Sequence, residues 1–464
     1  MRSFGSSCLL VFRVSALVSA LALIFVSCRD GEETAPVGPP STKTTPAPPA
    51  EGDGVTFFAD DWQEAKRLAQ QSGKLIFIDA WAPWCHTCWS MKREVLHDPS
   101  LRAFADRVLF VEIDTDKPQN AAFAARFPVR VWPTFFVIDA RSDVIVKTQG
   151  GSMSLAETRA FLEAALHKTP EGPADAALLE GYRLLQAGEP AQAAKRFEVA
   201  AQLEGPRTDE AIAAWLRALR QARDFAGCAT AGASAITRVR GSAAQGDHAS
   251  MMLLCASELP DGEPKSVART LAHKKLEELV ARPAAGASVD DQGDVLGNLA
   301  ELYEELGKKD DARALHERRL KLLEEDAHKA TTPLAARVHD YARMNSYLAL
   351  GQGERAVTLL SERTLQLPDD YEAHARLASA LFQTGRIDDA RIAAARAVAL
   401  SYGPRRLRYL QLQADIERKS NRLADERQAL ERLLQENAAL AEVQRNAELA
   451  TKAGQRLGEL QQPR

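Results

Sequence analysis

A Cys-x-x-Cys motif set between a buried strand and a helix leaves a chain few ways to fold around it. Here the motif is Cys85-His86-Thr87-Cys88. The apolar run Leu75-Ile76-Phe77-Ile78 precedes it and reads as a buried strand, and Trp89 to Leu96 follows with helical composition. A cysteine at the first turn of a helix has its thiolate stabilised by the positive end of the backbone dipole, and the thiolate is the reactive species. A second cysteine one turn further in keeps its sulfur close and shielded, so that one thiol attacks and the other resolves. A ribbon-type zinc site would need a second ligand pair, and Cys8, Cys28, Cys228 and Cys255 are isolated. A purely structural bridge over two intervening residues closes too little chain to add much stability. The motif therefore reads as a redox pair, with no metal and no cofactor expected.

The rest of the composition sets limits. With 464 residues, 45% of them hydrophobic and 26% charged, the chain has room for two or three cores. A formal net charge of −4 offers no basic field for nucleic acid. Six cysteines are too few for a disulfide-built scaffold.

Ile78-Asp79-Ala80-Trp81-Ala82-Pro83-Trp84-Cys85-x-x-Cys88, with Val131-Trp132-Pro133-Thr134 downstream, resembles the thioredoxin family. Within it, His97-Asp98-Pro99-Ser100-Leu101 through Val108-Leu109-Phe110 is similar to the periplasmic C-terminal domain of thiol:disulfide interchange proteins. The resemblance covers residues 55–168, and the order of elements agrees. A helix opens at Asp60-Asp61-Trp62 and stops at Ser72-Gly73, and strands follow at 75–79 and 108–113. A hairpin pair at 134–138 and 144–146 turns around Arg141-Ser142-Asp143, before a helix at 154–166.

The resemblance implies roles. Cys85 is the nucleophile and Cys88 the resolving thiol of a redox-active disulfide. Asp79 matches the family's buried acid, whose desolvated carboxyl takes the proton from Cys88. Pro133 matches the cis-proline that presents backbone beside the sulfurs to a substrate strand. Trp84 and Trp132 offer either an apolar substrate platform or ordinary packing. His86, between the cysteines, is expected to donate to the thiolate, lowering the pKa of Cys85 and making the disulfide more oxidising. Many thioredoxins carry a basic residue near the buried acid where this chain has Phe110, so proton handling is expected to rest on Asp79 or Glu112 alone.

The N-terminus reads as an export leader. Arg2 and Arg13 flank a basic start, and Val14 to Val26 is uncharged, mostly apolar, and shorter than the roughly 20 residues that span a bilayer. Phe25-Val26-Ser27-Cys28 resembles a lipoprotein cleavage box, with Phe25 where an aliphatic residue is usual. The expectation is a signal peptide over 1–27, lipidation of Cys28, and a proline-rich linker over 28–54 holding the redox domain off a membrane. Arg29 after Cys28 leans towards the outer membrane.

From about Asp175 the composition turns to Ala, Leu, Arg and Glu. Gly followed five residues later by Ala recurs at Gly188/Ala193, Gly307/Ala312, Gly351/Ala356 and Gly385/Ala390, and Gly351 and Gly385 lie 34 positions apart. This resembles a tetratricopeptide solenoid; Gly181 and Phe197 extend the match. Residues 205–290 fit poorly, Lys329 to Pro333 reads as an insertion, and the helices beyond Pro404 as a capping repeat. Cys228 and Cys255 are read as buried helix-core cysteines, with a disulfide between them left open. The scattered histidines and the Glu- and Arg-rich helices read as solvated faces.

The fold expected is thus an α/β thioredoxin fold over 55–168 followed by an all-α tetratricopeptide-like solenoid over 174–464. The function expected is that of a membrane-tethered, periplasm-facing thiol-disulfide oxidoreductase, reductase rather than oxidase or isomerase. Its partners would be disulfide-containing envelope proteins docked by the repeats and a membrane electron donor. The alternative is a repeat-based scaffold or assembly lipoprotein with a secondary redox role.

Overall fold

The computed structural model describes residues 54–166, 172–203 and 205–461. The expected leader, Cys28 and the linker up to residue 53 lie outside the described residues.

Five strands form one mixed sheet in the order β1-β3-β2-β4-β5. They are β1 (Phe58–Ala59), β2 (Leu75–Trp81), β3 (Val108–Asp114), β4 (Thr134–Asp139) and β5 (Val144–Gly150). β3 runs parallel to β2 and β1, whereas β4 runs antiparallel to β2 and β5. β2 sits centrally because it can be buried on both faces, and six of its seven residues are buried. Side-chain alternation splits it between two cores. Ile76, Ile78 and Ala80 join Trp62, Phe123 and Phe136 on one face, while Leu75 and Phe77 join Phe110, Phe135 and Phe161 on the other. Each isoleucine, leucine or phenylalanine among them, fully buried, contributes about 1.5–3 kcal/mol.

Four helices complete this part: α1 (Trp62–Ser72), α2 (His86–Met91, continuing as a wider turn through Lys92–Leu96), α3 (Ala121–Arg126) and α4 (Leu155–Leu166). α1 starts where the Asp61 side chain accepts from the Glu64 N–H, and stops at Gly73, left-handed at φ 68°. Strands β2 to β5 fall where the sequence places them, with ends one to four residues longer; β1 was not anticipated.

Sixteen helices follow among the described residues, from Pro173–Gln186 to Ala447–Gln461, mostly as antiparallel pairs packed on their neighbours. The glycine spacing has its cause in the turns. Gly385, at φ 82°, closes the helix Tyr371–Gln383, with the Arg386 N–H returning to the Leu381 carbonyl. Gly181 answers a different need: a Cβ there would fall 2.4 Å from the Phe197 ring, so two helices can cross closely only with hydrogen at that position.

Residues 205–290, which fit the repeat pattern poorly, hold the helices Thr208–Gln221, Phe225–Ala235, Ala244–Ser257 and Glu263–Ala281. Their small residues permit close packing, which blurs the repeat signature. Cys228 and Cys255 are buried in these helices as expected, and the pairing left open is made: a disulfide joins two of them. The insertion near Lys329 leads into the short helix Pro333–Ala336 and a tight turn, Arg337–His339.

The first helices also share a core with the sheet. Leu178, Tyr182, Phe197 and Ile212 pack continuously with Ile138 and Ile145. Below them Lys147 of β5 meets Glu210, which also accepts from Tyr182 and Arg207. Among the described residues the redox domain and the repeats are thus one packed body.

Candidate active site

The apex of the sheet carries the motif. Cys85 caps the N-terminus of α2 with extended backbone, and its Sγ accepts the Cys88 N–H at 2.9 Å. Cys85 and Cys88 are joined as a disulfide; Cys85 is 5% exposed and Cys88 not at all. The donor that meets Sγ here would equally stabilise a thiolate, so the geometry favours Cys85 as the reactive sulfur.

Asp79 lies on β2, fully buried, with neither carboxyl oxygen hydrogen-bonded. Burial pushes its pKa up to about 7; Lys92 opposes that and Glu112 adds to it. Lys92, one turn after Cys88, places Nζ 3.8 Å from Asp79, pairs with Glu112, and rests 3.6 Å above the Trp81 ring. The expectation that no basic residue serves the buried acid is therefore corrected. The cation arrives from the helix rather than from β3, where Phe110 packs in the core.

The Trp132–Pro133 peptide is cis. The Pro133 carbonyl accepts from Gly151, and Trp132 Nε1 donates to Thr115 Oγ1 at 2.9 Å. Trp84 and Trp132 lie 5.1 Å apart, and Trp84 Nε1 donates to Asp116. The two rings thus meet each other, and Trp84 is held by hydrogen bonding as well as by packing.

The repeats roof this apex. Arg337, 2% exposed, donates to the Pro83 carbonyl and to both oxygens of Asp370, with its guanidinium 5.2 Å over Trp89. Arg405, paired with Glu372, lies 4.8 Å over Trp84. Tyr402 donates to Asp114, and Gln444 to the Thr115 carbonyl. At Gly403 (φ 57°) a Cβ would fall 2.0 Å from the Asp116 carbonyl oxygen, so contact with the repeat here requires glycine.

His86 departs from expectation. Its Nδ1 meets Asp290 at 3.0 Å and its Nε2 faces Asp294 at 3.9 Å, so the ring nitrogens address the repeat helix Val289–Glu305 rather than a sulfur. Burial disfavours the imidazolium, but Asp290 and Asp294 outweigh it and raise the pKa to about 9. His86 therefore acts near Cys85 as a fixed positive charge. Asp290, 3% exposed, would be pushed up by burial, yet His86 and His339 hold it well below the usual carboxylate range. His339, fully buried, also bonds Asp326, which takes Arg93. His86, Asp290 and Asp294 bring ligand-type atoms within 4.8 Å of one another. Because each imidazole nitrogen faces its own carboxylate, the arrangement is that of an ion-paired imidazolium, and no metal is assigned to it.

Sequence reasoning therefore missed Lys92, Asp290, Asp294, Arg337, His339 and Arg405. Lys92 was findable, four residues after Cys88 and so on its face of the helix. The break in the repeat period marked the segment bearing Arg337 and His339. Asp290, Asp294 and Arg405 left no local signal.

The profile of the family described as Thioredoxin-like matches residues 58–140. Thioredoxin of Haemophilus influenzae is 36% identical over 87 residues, 19% of this chain and 76% of that protein. Protein disulfide-isomerase 1 of Dictyostelium discoideum is 24% identical over 115 residues, 24% of this chain, and the chain spans 30% of its length. Among solved structures, a tetratricopeptide repeat protein from Parabacteroides merdae is 12% identical at a TM-score of 0.42, covering 62% of this chain and 99% of its own.

Proposed function

This chain belongs to the thioredoxin-like family, and from that premise we propose that it is a thiol-disulfide oxidoreductase acting as a reductase, tethered to a membrane through Cys28. The observation that carries the reading is the Cys85 Sγ held by the Cys88 N–H above a buried, unbonded Asp79. In the reduced enzyme the Cys85 thiolate attacks one sulfur of a substrate disulfide. The substrate's other sulfur leaves as a thiolate and is protonated. Cys88, its proton taken by Asp79, then attacks the Cys85 sulfur, forming the disulfide and releasing the second substrate thiolate. Two electrons pass to the substrate. Lys92 and Glu112, whose side chain is 24% exposed, give the proton on Asp79 a route to water.

The positive charge at His86 favours the thiolate and pulls the potential in the oxidising direction. The reductase reading predicts a midpoint near the thioredoxin value of about −270 mV rather than near about −120 mV, and titration against glutathione or dithiothreitol buffers decides between them. The bonds from Arg337 and Asp290 to the active-site loop support a joint role for the repeats over that of a separate scaffold. Support for the tether comes from the apolar run Val14 to Val26 ending at Cys28. Incorporation of labelled fatty acid that is lost on Cys28→Ala tests it; export without a lipid would refute it. Disulfide-containing envelope proteins are the proposed substrates and a membrane protein the proposed electron donor. Among the described residues no helix is long and apolar enough to cross a membrane.

A further inference from the structure

A cleft of about 560 Å³ runs between the redox apex and the repeats. One wall is Thr87 of α2 with Val131 and Trp132, the residues that lead into the cis-proline. The facing wall comes from the helices Ala244–Ser257 and Val289–Glu305. With Cys85 5% exposed and its loop roofed by Arg337 and Arg405, this cleft is the open volume adjoining the cis-proline loop.

Its charge is uneven. At the cis-proline end stand Asp247, Asp291 and Asp294. Asp247 enters no ion pair among the described residues, and desolvation with the neighbouring Asp291 and Asp294 raises its pKa to about 7, so that it is fully charged only above neutral pH; the Asp294 side chain is 42% exposed. Arg319 is the lining cation near them, 3.5 Å from Asp294. It is 7% exposed, and its Nε has no acceptor among the described residues. Arg318 and Lys321 also line the cleft, as do Glu301 and Glu325. A group of mutually repelling carboxylates thus sits beside the substrate-strand position.

We propose that this cleft is the substrate site of the oxidoreductase and that it takes an extended, cysteine-bearing peptide segment with basic residues flanking the cysteine. The proposal rests on the redox reading above. The volume accepts a few residues of extended chain and excludes a folded domain. Asp247 and Asp294 meet the basic flank, and Trp132 packs against the residue beside the cysteine.

The test uses the whole chain, reduced and freed of reductant, in single turnover with peptides carrying one cysteine as a mixed disulfide with 2-mercaptoethanol. Each turnover oxidises the Cys85–Cys88 dithiol and frees one peptide thiol and one 2-mercaptoethanol. Three peptides differ only in flanks: lysine, glutamine or glutamate. The expected result is that the lysine peptide reacts about ten-fold faster than the glutamate peptide at low salt, and that the difference shrinks at about 1 M salt. The Asp247→Asn/Asp294→Asn variant is expected to lose the preference. Equal rates for all three peptides with wild-type protein overturn the proposal while leaving the redox function intact. A preference that survives in the variant overturns the assignment to this cleft. If a small folded protein with the same basic-flanked disulfide reacts as fast as the peptide, the requirement for extended chain is wrong. Failure to reduce any peptide, or bis(2-hydroxyethyl) disulfide, defeats the redox reading itself.

Discussion

Asp79→Asn should stabilise the oxidised protein, and by more at high pH than at low. The carboxyl is fully buried, lacks hydrogen-bond partners, and has its pKa raised from 3.8 to about 7 by burial, against the pull of Lys92. A folded-state pKa above the unfolded value means that the native protein holds this proton more tightly than the unfolded chain does. Stability is therefore highest below the unfolded pKa and falls as pH rises towards the folded one. A shift of about three units at about 1.36 kcal/mol each gives a cost of order 4 kcal/mol once the acid is fully ionised. Near pH 5 only part of that cost is felt, so the gain from asparagine should be roughly 2–3 kcal/mol larger near pH 8.5. Urea unfolding at the two pH values, followed by tryptophan fluorescence, measures it. The same substitution should slow release of the mixed disulfide, since Cys88 loses its proton acceptor. An equal effect on stability at both pH values would refute the argument. It would mean that Asp79 does not titrate in this window, with Lys92 already fully compensating its charge.

Other outcomes follow from the same structure. Replacing both Cys228 and Cys255 with alanine removes a cross-link spanning 27 positions and should lower stability by about 3.5 kcal/mol, measured by denaturant unfolding. Arg337→Met strands Asp370 and frees the Pro83 carbonyl; it should cost about 3–5 kcal/mol and raise the amide exchange rate of residues 84–89, read by hydrogen exchange. Because the pKa of His86 is raised from 6.5 to about 9, its pairing with Asp290 and Asp294 strengthens docking below pH 6.5 and is lost as pH rises through about 9. Protection factors in the α2 loop, which correct exchange for its intrinsic pH dependence, should fall over that range in wild type and stay constant in His86→Gln.

What the sequence revealed divides along physical lines. β2, the motif, Asp79 and the proline loop were legible because each is encoded locally: an apolar run, a cysteine spacing, a proline after tryptophan. The repeat turns were legible because Gly351 and Gly385 must be left-handed at fixed intervals. The roof over the active site was not. Asp290, Arg337 and Arg405 reach His86, Pro83 and Trp84 across more than two hundred residues of chain, and apart from the broken repeat period around Arg337 nothing in their neighbourhoods distinguishes them from solvated charges. His86 shows the consequence. Its position predicted an influence on Cys85, but a carboxylate from the repeats determines which way its nitrogens face.

The central claim is that Cys85 attacks substrate disulfides and Cys88 resolves them, and trapping tests it most directly. Expression of Cys88→Ala in cells, followed by non-reducing separation, should yield discrete mixed-disulfide adducts that disappear when Cys85→Ala is added. Folded, exported Cys88→Ala protein that captures nothing, or adducts that persist without Cys85, would contradict the account.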